Sequence, residues 1–218
     1  MTMTPGQEAR RLLRRHYYGV LSTTSQQFTG YPYGSFVDYV TDHMGRPVIL
    51  ISALAEHTRN INHNARVSLA VHDPGNQAQA LPRLALLGEA KLIGPDDAHH
   101  IRNRYLRYFP EAERYLALDF AFYRIEPQHM RYIAGFAQAC LVSATDFLAL
   151  GSQLADAEDE LLQQINVGQE TRLAGIDCDG CDLRLQDKLH RIEFASFAAD
   201  AQAARSAWAA LARARGAT

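Results

Sequence analysis

The run Leu50-Ile-Ser-Ala-Leu-Ala-Glu-His-Thr-Arg-Asn-Ile-Asn-His-Asn-Ala-Arg-Val-Ser-Leu-Ala-Val71 sets two apolar, strand-like segments on either side of a short polar one. The polar segment gathers Ser52, His57, Thr58, Arg59 and Asn60, groups that can hold an anion. Periodicity predicts a short helix over 55–64, leading into a strand from Arg66 to His72. His57, Ile61 and Asn64 share one ridge of that helix, and Leu54, Thr58 and Ile61 a neighbouring one. The apolar members can anchor the helix across a barrel mouth, with its first-turn amides outward and ready for an anion. Ser52 and Thr58 add hydroxyls, and Arg59 adds a planar guanidinium matched to phosphate. The competing arrangement pairs Glu56 with Arg59 at i,i+3 and uses the hydroxyls only as caps.

Outward from this run the chain alternates between strand and turn signals. Tyr18 to Thr24 and Tyr33 to Thr41 are rich in β-branched and aromatic residues, and Gly30 and Pro32 break the segment between them. His43-Met-Gly-Arg-Pro47 reads as a turn, so residues 33 to 52 are expected to form a β-hairpin. Leu84 to Ile93, Phe120 to Ile125 and the apolar run around Cys140 complete six or seven strands. Helices are expected over 5–17 and from Gly94 to Pro110. In the first, Ala9, Leu12, Leu13 and His16 mark the buried face, and Arg10, Arg11, Arg14 and Arg15 are expected on a solvated one. Helices inserted among strands, rather than alternating with them, point to an antiparallel barrel.

Near residue 151 the composition becomes small, polar and acidic, so domains are expected at 1–150 and 151–218. The second contains a helix at about 155–166, strands at about 172–177, 182–186 and 188–194, and an alanine-rich helix over 198–214. At about 65 residues it is too small to bury much core alone.

The chain has 218 residues, 47% of them hydrophobic, and a formal charge of −2. That charge gives no general attraction to nucleic acid or to an acidic membrane. Three cysteines form no disulfide framework. No apolar run approaches the roughly 20 residues needed to span a bilayer. A reduced, soluble, cytoplasmic protein is expected. Walker and GxGxxG loops are absent, and no Ser-His-Asp set can be defended. Cys178-Asp-Gly-Cys181 has CxxC spacing, but a structural zinc site needs four ligands and Asp-Gly is itself a turn signal.

The runs Tyr18-Gly-Val-Leu-Ser-Thr23, Gly30-Tyr-Pro-Tyr-Gly-Ser-Phe-Val37 and Ile51-Ser-Ala-Leu-Ala-Glu-His-Thr-Arg-Asn-Ile61 resemble split-barrel flavin-binding proteins similar to pyridoxamine 5'-phosphate oxidase. The runs Phe122 to Phe136 and Gly175-Ile-Asp-Cys-Asp-Gly-Cys-Asp-Leu-Arg-Leu185 resemble the haem-utilisation branch of that superfamily. The resemblance implies an α+β fold: an antiparallel split β-barrel with peripheral helices, plus a small C-terminal α/β domain. It implies a homodimer with a small-molecule cofactor at the subunit interface. Carried over by position, it assigns FMN phosphate to Ser35, Ser52, His57, Thr58 and Arg59. Gly88 would let a flat ring or another backbone approach closely, or simply mark a bulge, and Arg131 would steady an anionic group or else pair with Glu126 or Asp119 between subunits.

Two departures accompany the resemblance. The strand Ser35-Phe-Val-Asp-Tyr-Val40 has no cation where the oxidases have some, and Asp38 carries the opposite sign. The haem-degrading relatives' C-terminal histidine is also absent: nothing after His190 is histidine, and Gln163 to Gln169 lacks the histidines of that branch. An axial ligand would then come from His57, His129 or His190. The leading expectation is an FMN-binding protein supporting an oxidoreductase reaction. The alternatives are haem binding or breakdown in iron utilisation, and a cofactor-free binding or regulatory protein.

Overall fold

A computed structural model describes residues 3–77, 79–136, 138–165, 167 and 171–214. The chain forms two compact units, residues 1–148 and 149–218. The first is an antiparallel barrel. Its strands are β1 (Tyr18–Thr24), β2 (Pro32–Thr41), β3 (Pro47–Ser52), β4 (Arg66–His72), β5 (Arg83–Leu92) and β6 (Phe120–Ile133), with β7 (Ala139–Ser143) added beside β6. The sheet order is β3-β2-β1-β4-β5-β6-β7, and a further β3–β6 pairing closes six strands on themselves. Alternate residues of each strand face the core, among them Leu21, Leu69 and Leu86, all fully buried.

β6 is much longer than the run expected to end at Ile125. The polar sequence Glu126-Pro-Gln-His129 hides its continuation. Gly88 pairs with Pro127 while Leu87 pairs with His129, so Gln128 is an extra residue in a bulge. A bulge tolerates proline because a ladder N–H is not required there.

The expected hairpin over 33–52 is paired only at its base. Tyr39, Val40 and Thr41 face Ile49, Val48 and Pro47. On its other edge β3 pairs with β6 from Val48 to Ser52, opposite Arg124 to Phe120. The barrel is therefore closed on one side of β3 and unzipped on the other.

Helix α1 (Pro5–Arg15) starts at a Thr4–Gln7 capping box. It buries Ala9, Leu12 and Leu13 in the barrel core. Arg10, Arg11 and Arg14 are buried too, correcting the solvated face expected of them. The Arg10 guanidinium donates to the Phe147 carbonyl at 2.6 Å and that of Arg14 to the His43 carbonyl at 2.9 Å. Their heads satisfy carbonyls just after β2 and at the end of the short helix Ala144–Phe147. The Tyr39 hydroxyl donates to the Leu13 carbonyl at 2.8 Å, fixing α1 at that end of β2.

Helix α2 (Glu56–His63) meets the other end of β2, near Ser35. Its Asn60 is fully buried, donating to Thr23 Oγ1 at 2.9 Å and accepting from the Gln26 amide at 2.8 Å. Helix α3 (Pro95–Tyr108) buries Ile101, Arg104, Tyr105 and Tyr108, and a 3₁₀ turn spans Pro110–Tyr115. Arg104 Nε donates to the Thr41 carbonyl at 2.8 Å, so α3 is tied to β2. Helix α4 (Ala144–Phe147) ends the unit.

The second unit has a three-stranded sheet ordered β10-β9-β8, from β8 (Thr171–Asp177), β9 (Gly180–Leu185) and β10 (Lys188–Glu193). Helices α5 (Glu158–Gln164) and α6 (Ala201–Ala214) accompany it. It has its own core, including Leu154, Leu161, Ile176, Ile192 and Phe194. Arg191 spans Asp177 at 2.7 Å and Asp182 at 2.9 Å, with all three side chains buried.

A methyl group at residue 88 would collide with the Glu126 carbonyl oxygen. Gly88→Ala is expected to lower stability by about 1–3 kcal/mol, the cost of overpacking a closed site. Urea unfolding checks this; an unshifted midpoint would mean that the bulge relaxes freely.

Candidate functional site

Where the β2–β3 ladder stops, a cleft of about 410 Å³ opens. Phe36, Val37 and Asp38 of β2 form one wall, and Leu50, Ile51 and Ser52 of β3 form the other. Tyr105, Phe109, Tyr115 and Phe120 supply aromatic faces, Glu111 sits among them, and His57 reaches in from α2. The aromatics brace one another: Tyr105 packs on Phe109 at 5.1 Å and on Phe122 at 5.3 Å, and Tyr115 stacks on Phe120 at 4.9 Å. The Tyr105 hydroxyl bonds the Leu50 backbone, and burial pushes its pKa well above the usual phenol range.

His57 is the chemically distinctive group here. Its Nδ1 lies 3.3 Å from Ser35 Oγ. Its Nε2 is buried without a hydrogen-bond partner among the described residues. Burial lowers its pKa, so the imidazole is held neutral. Asp38 shifts the other way: burial raises its pKa first, and the Glu111 charge raises it further. The cleft thus joins aromatic walls, a neutral imidazole and two mutually repelling carboxyls.

The mouth of α2 departs from expectation. Ser52 Oγ donates to Asp119 Oδ2 at 2.6 Å, and the Leu54 amide donates to the same oxygen at 3.2 Å. The Ala53 amide donates to the Asp119 carbonyl at 3.0 Å. The Ser52 hydrogen bond holds the Asp119 carboxyl below its usual pKa. An internal carboxylate therefore meets Ser52, one of the donors that the sequence assigned to phosphate, together with two amides just ahead of α2. Thr58 is also committed elsewhere: it is buried and its hydroxyl donates to the Ser52 carbonyl at 2.6 Å. Arg59 is exposed on α2 and does not line the cleft, and among the described residues no ion pair joins it to Glu56.

Two more of the assigned residues lie away from this cleft. Gly88 does not line the cleft; the close approach that it allows is made by the Glu126 backbone across the bulge. Arg131 is exposed on the outer face of β6, between Ala85 of β5 and Leu141 of β7. Through successive registers it belongs to an outer row running Phe36, Val20, Ala70, Ala85, Arg131, Leu141. Phe36 and Leu141 stand 81% and 80% exposed at its two ends.

Of the assigned residues, Ser52 and His57 thus line the cleft, and Ser35 reaches it through His57. Asp38 was noted only for its opposite sign, and Tyr105, Glu111 and Asp119 were missed. No local pattern could reveal them, because Asp119 lies 67 positions from Ser52 and meets it only through the β3–β6 pairing. His129 and His190 are both exposed. In the second unit Cys178 and Cys181 are core residues. Asp177, Cys178 and Asp179 bring three ligand atoms within 4.8 Å of one another, but Arg191 already clamps Asp177. Residues 166, 168–169 and 215–218, which fall in the two histidine-free runs, lie outside the described residues. Among the described residues no helix is long and apolar enough to cross a membrane.

A family model described as the CREG β-barrel matches residues 3–149. The chloroplastic haem oxygenase HOZ of Arabidopsis thaliana is 39% identical over 142 residues, 65% of this chain and 44% of that protein. The chain therefore spans less than half the length of that curated relative. A solved protein of unknown function from Agrobacterium tumefaciens is 26% identical, with 94% of both chains covered and a TM-score of 0.79. HutZ, the haem storage protein of Vibrio cholerae, is 25% identical over 60% of this chain and 94% of its own, with a TM-score of 0.50.

The lowered His57 pKa has a consequence for stability. The unfolded chain takes up the histidine proton near pH 6.5, and the folded chain takes it up only at lower pH. Stability from the neutral ring is present above pH 6.5 and is lost as pH falls through that value toward the folded pKa. Asp38 works in the opposite sense, so the measurement compares wild type with His57→Gln. Urea unfolding at pH 7.5 and 5.5 should show a smaller acid loss in the variant.

Proposed function

We propose, from the premise that this chain belongs to the CREG β-barrel family and to the haem-utilisation branch of split-barrel proteins, that it binds haem. The observation that carries this is the 39% identity over 142 residues with a haem oxygenase of Arabidopsis thaliana. The cleft residues fit such a guest. His57 presents a neutral nitrogen without a partner among the described residues, and neutral imidazole is a common ligand of haem iron. Bringing Nε2 to the iron requires a small shift of the side chain or the wall, because the atom is covered. Ser35 at Nδ1 is placed to set the ring's tautomer and direction. Tyr105, Phe109 and Tyr115 offer flat apolar contact and exclude water. The iron would supply the oxygen chemistry, and haem breakdown is the activity to assay.

FMN is less favoured for an electrostatic reason. Its phosphate would enter a region where Asp38, Glu111 and Asp119 are all acidic. A homodimer is part of the same reading. The outer row from Phe36 to Leu141 offers small and apolar residues with Arg131 among them, a face suited to a second copy and to an anionic edge of the guest.

Titration of the purified protein with hemin should give a saturable shift of the Soret band. His57→Ala should weaken it at least about tenfold, on the scale expected when metal-site groups are lost. A wild-type chain that leaves the hemin spectrum unchanged would sink the haem reading and favour a cofactor-free protein. Leu141→Asp should move the sedimentation coefficient from dimer to monomer; an unchanged value would remove the outer row from the interface.

A further inference from the structure

We infer that Arg114, at the rim of the β2–β3 cleft, holds the carboxylate edge of the guest and so selects flat apolar guests that carry an acid group. This rests on the haem reading and deepens it, because haem bears its carboxylates along one edge of the ring.

The cleft itself rejects a carboxylate. Asp38 and Glu111 line it, and among the described residues no lysine or arginine does. A guest carboxylate placed inside would stand beside two acids, and like charges disfavour one another. The apolar body of the guest can lie against Tyr105, Phe109, Tyr115 and Phe120 only with its acidic edge turned outward.

Arg114 stands at that outward edge. It shares the 3₁₀ turn Pro110–Tyr115 with Glu111, and in a 3₁₀ helix positions i and i+3 eclipse. Arg114 therefore lies on the side of the turn that carries a cleft-lining residue. It is also joined to the wall directly. Its guanidinium donates to the Tyr115 hydroxyl at 2.8 Å, and its Cζ lies 4.9 Å from the centre of that ring. Tyr115 in turn stacks on Phe120 at 4.9 Å. Phe120, Tyr115 and Arg114 thus form one continuous wall, two half-buried rings followed by an exposed cation.

The guanidinium is steadied and still has donors to give. The ring contact limits its freedom, and a guanidinium carries more N–H groups than this contact uses. Arg102, which reaches the same turn, is held by Glu113 at 2.9 Å. Among the described residues no carboxylate meets Arg114. A planar fork beside an aromatic wall suits bidentate capture of a carboxylate.

The probes are protoporphyrin, which lacks iron, and its dimethyl ester, which lacks the acid charges. Binding is followed by porphyrin fluorescence anisotropy. Arg114→Gln should bind the free acid about fivefold more weakly than wild type, the scale of an ion pair at an exposed rim, and bind the ester as wild type does. Arg114→Lys should recover part of the loss, and unfolding midpoints confirm that both variants are folded. Equal weakening of both probes would mean that Arg114 only braces Tyr115, and would overturn the inference. An unchanged affinity for the free acid would overturn it too, as would a wild type that binds neither probe. Hemin is followed separately by the Soret band. A saturable Soret shift without the Arg114 effect fails this inference alone, and the Arg114 effect without a Soret shift fails the haem reading alone.

Discussion

The site depends on an unequal division of β3 between its two neighbours. On one side it pairs with β6 from Val48 to Ser52. On the other it pairs with β2 only through Val48, Ile49 and Pro47. The barrel stays closed, and a seam opens beyond Tyr39 and Ile49. A sheet seam exposes backbone donors and acceptors that must be satisfied. Here Tyr105 bonds Leu50, and α3, the 3₁₀ turn and α2 furnish the side chains that line the gap. An apolar cleft is therefore a direct product of how the barrel closes.

Electrostatics then gives the cleft its character. Burial penalises any charge, so it keeps His57 neutral and pushes the Asp38 carboxyl toward its neutral form. The more open Asp119 stays ionised because Ser52 and two amides face it. Three titratable groups thus shift differently within one neighbourhood because each meets different donors and a different depth of protein. A neutral nitrogen among aromatic walls suits a flat, apolar, metal-bearing guest better than a phosphate.

Arginines bear on the ends of the barrel in a way that a count of charges does not reveal. Arg10 and Arg14 reach from α1 to carbonyls at Phe147 and His43, and Arg104 reaches from α3 to Thr41. Each guanidinium donates to a backbone oxygen distant in sequence, and a buried carbonyl left without such a donor would cost stability. The same residue type thus caps the scaffold at several points, while the exposed Arg59 and Arg131 stay clear of the seam.

The sequence by itself determined most of the elements. Period-two runs marked β1, β2 and β4 nearly to the residue, because their inward positions must be apolar wherever a barrel core forms. The resemblance of the runs around Tyr18, Gly30 and Ile51 supplied the fold, and it singled out Ser52 and His57, which line the cleft. The length of β6 was hidden by Pro127, since a proline reads as a strand end unless the bulge opposite Gly88 is known. The burial of Arg10 and Arg14 was hidden as well, since a guanidinium goes inside only where distant carbonyls await it. Asp38 was visible as an opposite charge, but its meeting with Glu111, and that of Asp119 with Ser52, were decided by tertiary structure alone. Hydrogen bonds and like charges act over a few ångströms in space, and only the β3–β6 ladder and the packing of α3 bring these distant positions within that reach.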